Sequence, residues 1–85
     1  MELKMIQSDV SDLMSLNKFS DAQDLMDQNY KIDVTYGDFS HFNFAIRYEN
    51  KPTLKMLFWK MLNHNQEEIN AMKECVEESF ISIRI

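Results

Sequence analysis

Two histidines, one cysteine and a scatter of serines and carboxylates are the side chains of this sequence with the capacity for chemistry. His41 and His64 stand far apart along the chain, with no cysteine beside either and no H-E-x-x-H spacing. A metal site would therefore need carboxylates gathered by the fold, and none is expected. There is no Gly-rich phosphate loop and no G-x-S-x-G turn, and nothing in the sequence supports pairing Ser40 or Ser79 with a distant histidine. Asp21 and Asp24 lie at helical spacing, where a carboxylate pair caps or solubilises a helix more readily than it performs acid/base work. Cys75 is the only cysteine, so an internal disulfide and a thiolate zinc site are both excluded. It reads as a small residue beside an apolar helical stripe. The expectation is a protein that is not an enzyme and carries no cofactor.

The elements that must hold these residues are bounded first by size and charge. Eighty-five residues, 45% of them apolar, suit a single domain over 1–85 with one modest core. No stretch approaches the roughly 18 consecutive apolar residues of a membrane span. Met1 to Val10 carries Glu2, Lys4 and Asp9 among its apolar residues, which is unlike a secretory leader. A cytoplasmic protein is expected. The net charge of −5, with no Lys/Arg cluster, argues against direct binding to nucleic acid, whose phosphates are held by cations. A membrane is likewise not an expected partner.

Internal similarity is the strongest organising signal. One constant shift lays Val10 on Phe42, Leu13 on Ala45, Met14 on Ile46, Ala22 on Leu54, Leu25 on Leu57 and Met26 on Phe58. A fixed step of this size marks stacked units that bury their apolar faces on one another. Each unit reads as a helix pair. Val10, Leu13 and Met14 give one face, and Ala22, Leu25 and Met26 give the next after a break at Asn17-Lys18. In the second unit Phe42, Ala45 and Ile46 are followed by a turn at Glu49-Asn50 and a stripe of Leu54, Leu57 and Phe58. Ser8 with Ser11-Asp12, and Ser20-Asp21, offer capping chemistry for the first pair. Asn29 suits the position just past a helix end. Pro52 suits a first helical turn.

The segment Phe44-Ala45-Ile46-Arg47-Tyr48-Glu49-Asn50-Lys51-Pro52-Thr53-Leu54-Lys55-Met56-Leu57-Phe58 resembles the ankyrin repeat, and Asn17 to Val34 resembles the turn, outer helix and extended loop of a preceding copy. Together they cover residues 10–62, nearly two repeats. Where that family has Thr-Pro-Leu-His the chain has Ser40-His41-Phe42-Asn43, and where turn glycines are expected it has Asn17, Asn29 and Glu49. Glu49 is the poorest fit, because a Cβ disfavours positive φ. The resemblance implies an all-α fold of ankyrin-like helix-hairpin repeats and a role in binding another protein. In the family, loop tips and the exposed side of the first helices form the partner surface. The matching positions here are Tyr36, Asp38, Phe39, Arg47 and Tyr48.

The tail completes the expectation. Asn65 with Glu68 resembles a capping box, and Ile69, Met72, Val76 and Phe80 mark one apolar stripe, so a C-terminal capping helix is predicted. Leu54 to Leu62 is apolar nearly all round, with Met56 and Trp59 off the Leu54-Leu57-Phe58-Met61 stripe; the tail helix is expected to cover them, the alternative being an exposed patch that recruits a partner. With fewer units than the three or so such arrays normally need, a homo-oligomer is an expected means of gaining burial. Two alternatives stand beside this reading. Alternation of Ile32, Val34 and Tyr36, then of Phe42, Phe44, Ile46 and Tyr48, around Gly37-Asp38 suits a hairpin. With a final strand from Phe80 to Ile85 it would give a small α+β fold, helix-strand-strand-helix-strand. The Asp-rich stretch from Asp9 to Asp27 suits instead a compact acidic inhibitor, such as a phage or viral antagonist occupying a basic nucleic-acid-binding groove on a host protein.

Overall fold

The computed structural model describes residues 3–28 and 32–84. Within them five helices follow in order: α1 (Leu3–Ser15), α2 (Phe19–Gln28), α3 (Tyr36–Arg47), α4 (Lys51–Met61) and α5 (Gln66–Arg84). The expected all-α class is the class found, with no strand among the described residues. The α+β alternative fails because α3 buries His41, Phe42, Ala45 and Ile46, a helical spacing, and because Phe80 to Arg84 belongs to α5. The alternation of aromatic residues along 42–48 is a coincidence of composition. Asn29 lies outside the described residues.

Both helix pairs are closed by the same device. At the end of α1, Lys18 N–H donates to Leu13 O at 2.8 Å and Asn17 N–H to Met14 O at 3.0 Å, with Asn17 at φ 61°. At the end of α3, Asn50 N–H donates to Ala45 O at 2.8 Å and Glu49 N–H to Ile46 O at 3.0 Å, with Glu49 at φ 53°. These are two Schellman turns, each satisfying carbonyls the helix leaves open. The step from Asn17 to Glu49 equals the step from Val10 to Phe42, so the turns follow the same repeat as the apolar pattern. Asn17 enters the left-handed region at small cost, whereas Glu49 does so against its Cβ.

Inside the pairs the caps differ from expectation in two cases, the second being Ser20, which falls inside α2 rather than ahead of it. Helix α1 begins at Leu3, so Ser8, Ser11 and Asp12 lie within it and cap nothing at its start. Asp21 sits in the first turn of α2, near the positive end of the dipole. Asn50 caps α4 by accepting Thr53 N–H at 3.0 Å, and Pro52 occupies the first turn, where its missing N–H is harmless. Asn65 caps α5 by accepting Glu68 N–H at 2.9 Å, while its own amide donates to the Glu68 carboxylate at 2.8 Å.

Helix α3 is the centre of the packing: α1 lies on one side of it, α5 on another, and α4 behind it, while α2 backs α1. The core is built from Val10, Met14, Ala22, Met26, Phe42, Ala45, Leu57 and Met61. Ile32 and Val34, in the connection to α3, insert into it. The stripe expected for α4 is corrected here. Thr53, Leu57 and Met61 are buried, whereas Leu54 is half-buried and Phe58 is exposed at its edge. Leu57 and Met61 stay inside, and the buried face is turned by about half a residue step, roughly 50°, toward Thr53. An all-round apolar sequence does not choose a face. Tertiary contacts do, through Gln23 Nε2 of α2 donating to Thr53 Oγ1 at 2.7 Å and Phe58 lying 5.6 Å, centroid to centroid, from Phe42.

The tail helix also departs from expectation. Met72 is buried, with Ile69 and Val76 packed against the core, but Phe80 is 41% exposed. Helix α5 packs chiefly on α3 and leaves Trp59 uncovered at 65% exposure, while Met56 is packed against the core.

Candidate functional site

The strained part of the chain is the entrance to α3. Gly37, Asp38 and Phe39 occupy the left-handed region in succession, at φ 62°, 54° and 64°. A left-handed turn costs about 1–2 kcal/mol for each residue with a Cβ, so something must hold it. Asp33 Oδ1 accepts Thr35 N–H at 2.9 Å and Thr35 Oγ1–H at 2.7 Å, fixing the approach. Phe39 N–H donates to Thr35 O at 3.1 Å, and its ring meets Phe42 edge-on at 6.1 Å. A side chain on Gly37 would bring its Cβ to 2.9 Å from Ser40 Oγ, so this position accepts only glycine without displacement.

The five positions expected to bind a partner fall into two groups. Tyr36, Asp38 and Phe39 surround the left-handed turn. Arg47 and Tyr48 lie at the far end of α3, about 12 Å along the axis from Phe39. Within the first group, Tyr36 stacks on His41 at 5.8 Å, Phe39 is half-buried, and Asp38 is exposed. In the second, Arg47 is exposed with its guanidinium 6.0 Å from the Phe44 ring. Tyr48 meets Phe19 edge-on at 5.7 Å and its hydroxyl donates to Ser15 O at 2.9 Å. Tyr48 thus ties the two pairs together, a structural task in addition to any surface role.

Two features carried no clear signal in the sequence. His41 is wholly buried, and neither ring nitrogen has a hydrogen-bond partner among the described residues. Burial pulls its pKa from 6.5 down to about 4, against the attraction of Asp33. The ring is therefore neutral at pH 7 and serves as a stacking surface under Tyr36. Along the α3/α5 contact, Asn43 Oδ1 accepts from Ser79 Oγ at 2.6 Å and from Cys75 Sγ at 3.4 Å. Desolvation raises the Cys75 pKa, so its thiol is a poor nucleophile. His64 pairs with Glu68, Nδ1 to Oε2, at 3.2 Å. Among the described residues no three His, Cys, Asp or Glu side chains converge on a position where a metal ion would sit.

No family model, curated protein or solved structure matches the chain. Among the described residues no helix is long and apolar enough to cross a membrane.

Proposed function

We propose that this chain is a small, non-enzymatic, cytoplasmic protein-binding module of ankyrin-like type. The observation that carries the reading is the left-handed turn at Gly37–Phe39. Backbone strain of this kind persists only where surrounding contacts over-determine it, and it concentrates at sites of recognition. The turn holds Tyr36 against His41 and presents the Asp38 carboxylate to solvent, a rigid aromatic beside a directional charge. Arg47 adds a second, oppositely charged contact at the other end of the same helix.

The test uses the two exposed members, because Phe39 and Tyr48 also serve packing. Asp38→Ala with Arg47→Ala should abolish capture of a protein partner from host lysate while leaving the melting curve in place. Undiminished capture by the double variant overturns the reading. A second reading, the acidic inhibitor, is favoured by one observation: Asp9, Asp12, Asp21, Asp24 and Asp27 are all exposed on the α1–α2 pair. Binding through those carboxylates weakens steeply with salt, and Asp38/Arg47 substitution leaves it intact.

A further inference from the structure

The two Schellman turns share their hydrogen bonds but not their covering. The turn that closes α1 is packed over: Met14 and Ala22 are wholly buried, Phe19 is nearly so, and Tyr48 lies edge-on to the Phe19 ring. At the turn that closes α3 a cleft of about 320 Å³ opens instead, lined by Ala45, Ile46, Lys51, Leu54 and Phe80 together with the turn itself. The constant step that relates the two units carries Leu13 to Ala45, Met14 to Ile46, Phe19 to Lys51, Ala22 to Leu54 and Tyr48 to Phe80. The cleft is thus the second-unit counterpart of a space that the first unit fills with its own side chains. Helix α5 packs on α3 as α3 packs on α1, and Phe80 is 41% exposed where Tyr48, one step earlier, is 40% exposed.

Two residue changes along that step leave the space open. Ala45 is smaller than Leu13, and Lys51 is exposed where Phe19 is buried. What the second unit lacks, relative to the first, is one aromatic ring. A ring entering from outside would meet Phe80 as Phe19 meets Tyr48, in the edge-on kind of pairing that aromatic side chains prefer. It would cover apolar surface of Leu54 and Phe80 that otherwise faces water. It would also come within reach of the Lys51 ammonium, which is attracted to the face of a π system and not to an aliphatic chain. The volume is at the small end of the roughly 300–1,000 Å³ of ligand sites, and suits one side chain rather than a whole helix.

We infer that this cleft is a socket for a single aromatic side chain of a protein partner, seated against Leu54 and Phe80 beside Lys51. The inference rests on the protein-binding reading for the source of the ring. It adds to that surface the element it lacked, a buried apolar anchor of the kind that dominates interface energies. Arg47 and Tyr48 directly follow the cleft residues Ala45 and Ile46 at the end of α3, so one partner segment can fill the socket and reach the Arg47 guanidinium.

Backbone amide NMR spectra of the isotope-labelled full chain, titrated with the capped peptide acetyl-Gly-Phe-Gly-amide, test this. Amides of Ala45, Ile46, Lys51 and Leu54 should shift, with a Kd on the order of millimolar, and the same peptide with alanine in place of phenylalanine should leave them unmoved. Phe80→Ala removes a wall and should weaken binding by about tenfold. Lys51→Phe supplies the ring from within the chain, as Phe19 does in the first unit, so it should abolish binding and raise Tm by a few degrees. Lys51→Met removes the charge but leaves the cleft open, so it should still bind, several-fold more weakly. Asp38→Ala with Arg47→Ala leaves the cleft walls intact and should bind the peptide as the wild type does, so failure of the socket and failure of the partner surface are read separately. No shift at the cleft, an equal shift with the alanine peptide, or undiminished binding by Lys51→Phe overturns the inference. So does self-association of the wild type that Lys51→Phe abolishes, which would assign the socket to a second copy of this chain.

Discussion

His41 ties a part of this protein's stability in acid to one buried imidazole. In the unfolded chain its pKa is 6.5, and in the folded protein burial lowers it to about 4. A histidine depressed on folding stabilises the native state above its unfolded pKa, and that contribution is lost as pH falls from about 6.5 to about 4, because the unfolded chain takes up a proton the folded one refuses. At about 1.36 kcal/mol per pKa unit the full loss is about 3 kcal/mol, most of it complete by about pH 4.5. For a domain of this size, holding roughly 4–13 kcal/mol in total, that is a large share. Urea unfolding of the wild type and of His41→Leu, compared at neutral pH and near pH 4.5, isolates this contribution from every group the two proteins share. The wild type should lose about 2–3 kcal/mol more than the variant. At neutral pH the variant should be at least as stable, because the substitution removes a buried ring whose nitrogens have no partner among the described residues. Parallel pH profiles for the two proteins would show that His41 is solvated or hydrogen-bonded in the native state, and the argument from burial would fail.

Three further outcomes follow from the packing. Glu49→Gly relieves a Cβ at φ 53° and should raise stability by roughly 0.5–1 kcal/mol, a few degrees in Tm by calorimetry, whereas Asn17→Gly should change it little because asparagine tolerates this region. Thr53→Val removes the acceptor for Gln23 between α2 and α4 and should cost about 1–2 kcal/mol in urea unfolding; an unchanged midpoint would mean that bond contributes nothing. Tyr48→Phe keeps the ring on Phe19 but loses the hydroxyl bond to Ser15 O, and should cost about 0.5–1 kcal/mol, with Tyr48→Ala costing clearly more.

The candidate site was only partly legible from residue types. Tyr36, Asp38, Phe39, Arg47 and Tyr48 came from a resemblance, and the fold divides them between the two ends of α3. His41 drew attention as a metal-ligand type, yet its burial under Tyr36 had no sequence signal, since a histidine between Ser40 and Phe42 is equally at home on a surface. Asn43 gave no sign of accepting from Cys75 and Ser79, which lie on a different helix and far along the chain.

What the sequence by itself determined is local and periodic. The constant step, the helix pairs, the turns at Asn17-Lys18 and Glu49-Asn50, the cap at Asn65 and the capping helix all rest on interactions among near neighbours or on their repetition. What only the tertiary structure decided is the choice among faces that were all apolar or all polar. Helix α4 is hydrophobic nearly all round, so its spacing left Leu54 and Phe58 as good a core as Thr53 and Met61. The bond to Gln23 and the packing on Phe42 rotated it, leaving Trp59 uncovered. Periodicity records which residues share a face, and only contact with other elements selects the face that is buried.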